Sequence, residues 1–270
     1  MLAVRYKQYV AISTLLASGC DVNVQDKEGR TALHYASHTA VAVDSLISAG
    51  ADVNILDNHG CSPLLMAATE GLDKVVHALC NVPGCDVNLS NLSAKKTPLH
   101  ILSYKGHTRA VRDLLACRAD VNLLDADHRS PLWYSITNGK CDVTAALLSS
   151  PRLQTFCQIA EEKVEELCPL EQAAVKGRVD ILKLAIWSGY DNVHLRNILS
   201  RNDVRAIFEK HQITHWLETG LQVPTLRHLC RQRLRYHMRT EFSERVERLP
   251  IPDKLVNYLS FKELEDLKVS

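Results

Sequence analysis

Apolar residues in the first 190 positions occur as paired short runs at helical spacing, and each pair of runs recurs about every 33 residues. The clearest marker of the period is the tripeptide Asp-Val-Asn, whose copies lie 31, 34 and 34 residues apart. Such a constant period predicts one helix–turn–helix unit in each repeat. The copies of the tripeptide begin at Asp21, Asp52, Asp86 and Asp120.

A second pattern marks the start of the first helix in each unit. A serine or threonine can cap the helix with its hydroxyl, and a proline in the first turn loses no amide partner. A glycine nine residues after the hydroxyl residue can end that helix. The runs occupy 31–36, 62–67, 97–102, 130–135 and, in degenerate form, 168–173, and the glycines are Gly71, Gly106, Gly139 and Gly177.

These runs resemble the ankyrin repeat, whose Thr-Pro-Leu-His sequence is complete at 97–100. The resemblance covers residues 1–190 and predicts an all-α fold, an ankyrin-repeat solenoid of helix–turn–helix units with β-turn fingers. Each unit would bury its apolar face only against its neighbours. The first copy begins inside the motif, and we expect it to lack its finger.

Departures from the pattern predict local differences. The copy at Thr31 lacks two residues and has Ala40 in place of the helix-ending glycine, so we expect a tighter junction between its helices. Between Ser149 and Cys168 several residues are inserted, among them the acidic run 161–166, which we interpret as a solvated loop or helix. The finger glycine present as Gly29 and Gly60 is replaced in later copies by Lys95, His128 and Glu166.

Residues 191–220 keep a helical spacing of apolar side chains, and we expect them to complete the stack and link it to the C-terminal region. His211 and His215 have the i, i+4 spacing of a metal-binding pair. The sequence has no Cys-x-x-Cys pair that would complete such a site, and we predict no metal site and no cofactor.

The last fifty residues contain two distinctive segments. In the first, Thr225 follows a proline and can cap a helix on which Leu226, Cys230 and Leu234 share one face among several arginines. In the second, two prolines flank an isoleucine and exclude a continuous helix until Asp253 can cap a final one.

Together and in this order, the two segments resemble the SOCS box. The resemblance implies a small three-helix domain at 221–264 whose first helix binds elongin C, with elongin B, and whose second segment binds cullin-5 with its RING-box subunit. The matching residues are Thr225, Leu226, Cys230 and Leu234 for elongin C, and Leu249, Pro250, Ile251, Pro252, Tyr258 and Leu259 for the cullin.

Composition and net charge limit the classes of partner and the cellular compartments to expect. A formal net charge of +1 gives no general case for binding nucleic acid or an anionic membrane. Nine cysteines without tight spacing fit reduced thiols in a cytoplasmic or nuclear protein. The apolar run 10–17 imitates a signal peptide, but the repeat pattern assigns it to a folded helix, and no run is long enough to span a membrane.

The sequence displays no catalytic motif, and we predict a protein that is not an enzyme. His34 and His100 occupy the repeat motif, where an imidazole bonds the backbone of the adjoining turn, and Cys230 fits a buried apolar position. Function must then lie in a binding surface of fingers and inner helices. The candidate residues for a protein substrate are Tyr35, His59, Met66, Lys95, Tyr104, Lys105, Trp133, Tyr134 and Asn138.

Ankyrin repeats followed by a SOCS box resemble the ankyrin repeat and SOCS box family. The resemblance implies a substrate receptor of a cullin-5 ubiquitin ligase, in which the repeats select a protein target and the box recruits the ligase. The alternative is a non-enzymatic ankyrin scaffold or inhibitor whose C-terminal helices only cap the stack. For a mere cap, the Leu-Pro-Ile-Pro segment would have no evident purpose.

Overall fold

The computed structural model describes residues 1–36, 40–150, 152–153 and 169–188. The chain divides into two units, residues 1–131 and 132–270. In the described part of the first unit lie α1 (Leu2–Arg5), α2 (Tyr9–Ala17), α3 (Ala32–Tyr35), α4 (Ala40–Ser48), α5 (Pro63–Glu70), α6 (Asp73–Cys80), α7 (Pro98–Lys105) and α8 (Thr108–Ala116). Helix α9 (Pro131–Thr137) starts at the boundary, and α10 (Cys141–Leu148), α11 (Pro169–Val175) and α12 (Val179–Ser188) follow in the second unit.

The residues that begin and end the inner helices act as the motif predicts. The Ser62 hydroxyl accepts a hydrogen bond from the Leu65 amide at 3.2 Å, with a proline in the first turn of α5. Gly71 ends the helix in the left-handed conformation, with φ of 77°. Since a side chain is strained in that conformation, glycine is the favoured residue there. The helical fold predicted from the repeat pattern is confirmed.

Helix α3 is shorter than its counterparts. It has four residues, whereas α5 and α7 each have eight. The second helix of this repeat, α4, begins nine residues after Thr31, while α6 begins eleven residues after Ser62. The predicted tighter junction falls on residues 37–39, which lie outside the described part of the chain.

Consecutive repeats of the first unit pack side by side. The inner helices α3, α5 and α7 form one row, and the outer helices α4, α6 and α8 form another. Burial of each large aliphatic side chain between them contributes roughly 1.5–3 kcal/mol. The fully buried side chains of this unit include Leu33, Leu64, Leu65, Leu79, Leu99, Leu102 and Leu114.

The Asp-Val-Asn tripeptides link one repeat to the next. The Asp52 carboxylate accepts a hydrogen bond from the Asn54 amide at 2.9 Å, and Val53 is buried. The Asn54 side chain then accepts from the Asp86 amide at 2.9 Å and donates to the Gly84 carbonyl at 2.8 Å in the following repeat. Asn23 and Asn88 likewise accept a hydrogen bond from the backbone amide of the aspartate that begins the next tripeptide.

The fingers also touch directly, which explains their glycines. The Asn58 amide donates to the Glu28 carbonyl at 3.0 Å, so the second finger runs against the first. A Cβ added at Gly29, where φ is 76°, would lie 2.8 Å from the backbone nitrogen of Asn58. Lys95 and His128 occupy the equivalent position with φ of 50° and 60°. The left-handed turn is thus kept where the glycine is lost.

In the second unit, α9 and α10 are joined by a buried hydrogen bond from the Thr144 hydroxyl to the Ser135 hydroxyl at 3.0 Å. Arg178, just before α12, donates to the Ile136 carbonyl at 2.9 Å. A Cβ added at Gly139 would lie 2.8 Å from its guanidinium, so this helix-ending glycine leaves room for the arginine.

Several predictions concern residues outside the described part of the chain. They are the acidic run 161–166, the helical stretch 191–220 with His211 and His215, and the whole C-terminal region. Within the described ranges, no helix is both long and apolar enough to cross a membrane.

Candidate binding surface

The inner face of the first unit carries a row of half-buried apolar side chains. Tyr35, Met66 and Ile101 occupy the same motif position, four residues after the capping Thr or Ser, on the adjacent helices α3, α5 and α7. We call these three residues the apolar row. Sequence reasoning included Tyr35 and Met66 but missed Ile101, although its motif position was the available signal.

Two exposed residues of α7 continue this face. Tyr104 is 54% exposed, and it lies three residues after Ile101, about one helical turn away. Lys105 is exposed at its ammonium end, and its Nζ donates a hydrogen bond to the Thr69 carbonyl of the preceding repeat. The structure therefore places Tyr104 and Lys105 beside the apolar row, as a candidate surface requires.

Tyr35 is held at one end of the row. Its hydroxyl donates to the Asp26 carboxylate at 2.6 Å, and the Arg5 guanidinium lies 5.6 Å from its ring centroid. The hydrogen bond to Asp26 raises the pKa of Tyr35 and lowers that of Asp26. The phenol is thus fixed by the first finger.

The fingers present the remaining candidates of this unit. His59 and Lys95 are both exposed. The third finger is one residue longer than the second, because the Asn91 amide bonds the Lys96 carbonyl whereas the Asp57 amide bonds the Cys61 carbonyl. The extended finger exposes 71% of Leu92, which sequence reasoning missed.

In the second unit, the prediction for Tyr134 as a surface contact is wrong. Tyr134 is only 5% exposed, and its ring packs edge-on against Trp133 with centroids 5.2 Å apart. A large aromatic ring gains more from burial than from exposure, so it serves the core here. Trp133 and Asn138 are half-buried, and Asn138 donates to the Tyr134 carbonyl at 2.9 Å.

The two motif histidines are structural, as predicted. His34 Nδ1 accepts from the Thr31 amide at 3.0 Å, and its Nε2 donates to the Cys61 carbonyl of the next finger at 3.0 Å. His100 makes the corresponding bonds with Thr97 and with the Arg129 carbonyl. Burial lowers the pKa of both imidazoles, which favours the neutral ring that these bonds need.

Comparison with known families agrees with this architecture. A model described as ankyrin repeats (3 copies) matches residues 1–91, 83–158 and 99–197, and a SOCS box model matches residues 222–260. The chain is an ankyrin repeat and SOCS box protein. The putative ankyrin repeat protein FPV223 of fowlpox virus (strain NVSL) is 30% identical over 115 residues, which are 43% of this chain and 76% of the viral protein.

Both domain types of this ankyrin repeat and SOCS box protein are non-catalytic and of the adaptor kind. The described residues contain no group of three or more histidine, cysteine or acidic side chains that could hold a metal ion. The predicted contacts with elongin C and the cullin lie outside the described residues. They are Thr225, Leu226, Cys230, Leu234, Leu249, Pro250, Ile251, Pro252, Tyr258 and Leu259.

Proposed function

We propose that this protein is the substrate receptor of a cullin-5 ubiquitin ligase, joined to the cullin through elongins B and C. The observation that carries the proposal is the SOCS box at residues 222–260, placed after ankyrin repeats that match residues 1–197. A SOCS box implies elongin and cullin binding in general, and ankyrin repeats imply a protein partner.

The proposed mechanism requires no chemistry from this chain. The repeats hold a target protein while the SOCS box holds the ligase, so that a target lysine stays close to the ubiquitin-loaded conjugating enzyme. Such tethering raises the effective concentration of the two reactants, and a well-oriented pair reacts faster for the same reason. The catalytic cysteine and the RING domain belong to other subunits.

The target would bind along the apolar row and the neighbouring exposed residues of α7. The row offers apolar contact area, and Tyr104 offers an exposed aromatic side chain of the kind that anchors interfaces. Lys95 and His59 on the fingers would add polar contacts at the rim of this surface.

The first test is co-expression of the full chain with elongins B and C, followed by size-exclusion chromatography. We expect one ternary complex with the wild type. The double variant Leu226→Asp, Cys230→Phe should lose the elongins, because a charge and a bulky ring would replace the apolar side chains of the docking helix. Circular dichroism must show that the repeats of the variant remain helical.

A second pair of variants separates the two halves of the box. Pro250→Ala with Pro252→Ala should lose cullin-5 in a pull-down but keep elongins B and C. Ile101→Glu on the apolar row should keep both and serve as the matched control. A wild-type protein that is soluble and monomeric in the presence of elongins would contradict the proposal and favour an ankyrin scaffold.

A further inference from the structure

Three thiols gather at the outer ends of α6 and α8. Cys80 is the last residue of α6, Cys117 directly follows α8, and Cys85 lies in the loop after α6. All three are free thiols. The Cys117 thiol helps to raise the pKa of Cys80, and Cys85 contributes to the same rise. The ends of two consecutive outer helices thus carry neighbouring thiols.

Each of the two thiols donates its hydrogen to a group at the end of α6. The Cys80 thiol donates to the His77 carbonyl at 3.5 Å, one turn earlier in α6. The Cys117 thiol donates to the Asn81 side-chain oxygen at 3.6 Å. Because Asn81 is the residue after Cys80, this second bond independently places Cys117 at the end of α6. The close packing of α6 on α8 keeps both ends together.

The two thiols differ in their access to solvent. Cys80 is 5% exposed, whereas Cys117 is half-buried. Burial is the main cause that raises the pKa of Cys80. Burial also raises the pKa of Cys85 to about 11. Cys80 and Cys85 therefore remain protonated at neutral pH, and a small oxidant meets Cys117 more readily than Cys80.

We propose that Cys80 and Cys117 form a disulfide when the protein meets a hydroperoxide, and that this bond cross-links two consecutive ankyrin repeats. The sulfur of Cys117 first attacks a peroxide oxygen, the O–O bond breaks, and a sulfenic acid forms with release of water or alcohol. The sulfur of Cys80 then attacks the sulfenic sulfur. The S–S bond forms, the S–O bond breaks, and hydroxide leaves with the proton of Cys80 as water.

The electrons balance in this sequence. The two thiols lose two electrons in total, and the hydroperoxide is the two-electron acceptor. Because Cys80 must give up its proton, the cross-link should form more slowly than in a dedicated redox enzyme and faster as the pH rises from 7 to 9. The proposal concerns the first unit alone and does not depend on the SOCS box.

The test is treatment of the folded full chain with hydrogen peroxide, followed by blocking of free thiols and peptide mass spectrometry without reduction. We expect a peptide pair joined through Cys80 and Cys117, which dithiothreitol separates. The melting temperature should rise by roughly 5–10 °C on oxidation and return on reduction, because the bond closes a long loop of the unfolded chain.

Matched variants assign the bond. Cys117→Ser and Cys80→Ala should each abolish the joined peptide and the thermal shift. Because Cys117 is only half-buried, its serine variant should still fold. Cys20→Ser, at an exposed thiol, and Cys85→Ser should leave both unchanged. A peptide that joins Cys85 to Cys117, or Cys117 oxidised without a partner in the wild type, would overturn the proposal.

Discussion

At the scale of single residues, the buried histidines show how one side chain can serve two turns. His34 and His100 each accept a hydrogen bond inside their own capping turn and donate one to the next finger. The repeat that begins at Ser62 has Leu65 at this position, fully buried, and makes no such bond. The repeat at Ser62 therefore shows the same motif without the hydrogen bonds that an imidazole makes.

Replacement of His100 by leucine should destabilise the protein at neutral pH and weaken its response to acid. Burial lowers the folded-state pKa of His100, so its contribution is fully present above the unfolded value near 6.5 and is lost as the pH falls below it. We expect a loss of about 1–3 kcal/mol at pH 7.5, because the Thr97 amide and Arg129 carbonyl lose their partner.

Urea unfolding at pH 7.5 and at pH 5.5 measures this effect. The difference in unfolding free energy between wild type and His100→Leu should be smaller at pH 5.5, where the unfolded chain binds the proton more readily. An equal difference at both pH values would show that His100 acts only through packing.

Residue roles that depend on local spacing could be predicted from the sequence, and those that depend on packing between elements could not. The bonds of the histidines inside their capping turns and the helix-ending glycines follow from contacts within one motif. The burial of Tyr134 depends on what surrounds its helix, and the exposure of Leu92 depends on one extra residue in a finger whose path the pattern does not specify. Ile101 was predictable, since it repeats the position of Met66.

At the scale of elements, the fingers and the tripeptides connect each repeat to the next by hydrogen bonds. Each of the second, third and fourth fingers bonds the backbone of the preceding one, and Asn23, Asn54 and Asn88 of the Asp-Val-Asn series bond the following repeat. The sequence predicted the period and the helices of these elements. It gave no account of the asparagine bonds, because hydrogen bonds across repeats depend on how the units stack.

The role of the finger glycine can be tested by substitutions at two equivalent positions, one that removes a glycine and one that introduces it. Gly60→Ala should destabilise the protein by roughly 1–3 kcal/mol, since its Cβ would lie 2.9 Å from the Leu92 nitrogen in a left-handed turn. Lys95→Gly is the matched reverse change, and it should stabilise by up to about 1 kcal/mol by removing a side chain from that conformation. Chemical denaturation of both variants measures the pair, and destabilisation by Lys95→Gly would contradict this explanation.

Asn54→Ala should cost more than a typical surface substitution. It removes two hydrogen bonds to the next repeat and leaves the Asp86 amide and the Gly84 carbonyl without that partner, so we expect a loss of about 1–3 kcal/mol. Asn58→Ala removes a single exposed bond to the Lys27 carbonyl and provides the control. Equal losses in urea unfolding would show that the inter-repeat bonds add no stability.

At the scale of the whole molecule, neighbouring repeats support one another, and stability should vary along the stack. In α1 and α2 of the first unit, only Val4 and Ile12 are buried, whereas α5 buries five of its eight residues. Apolar side chains such as Leu2 and Val10 remain exposed on the first two helices. The first unit should therefore open from this end.

Hydrogen exchange followed by mass spectrometry can map this gradient. Peptides from 1–18 should exchange fastest among those of the first unit, and peptides from α5 to α8 should exchange slowest, because opening of the latter exposes more buried surface. Uniform exchange across the first unit would mean that it unfolds as one cooperative block.

The asparagine bonds between repeats have a consequence for how such a chain can change length. A segment from Asp52 to Cys85 carries one complete copy of the linking pattern: the Asp52 amide donates to Asn23 of the preceding repeat, and the Asn54 side chain accepts from the Asp86 amide of the following one. A tandem duplication of this segment would reproduce the same inter-repeat hydrogen bonds at both of its ends. Gene-level gain or loss of whole repeats could therefore lengthen or shorten the binding surface while leaving the SOCS box sequence unaltered.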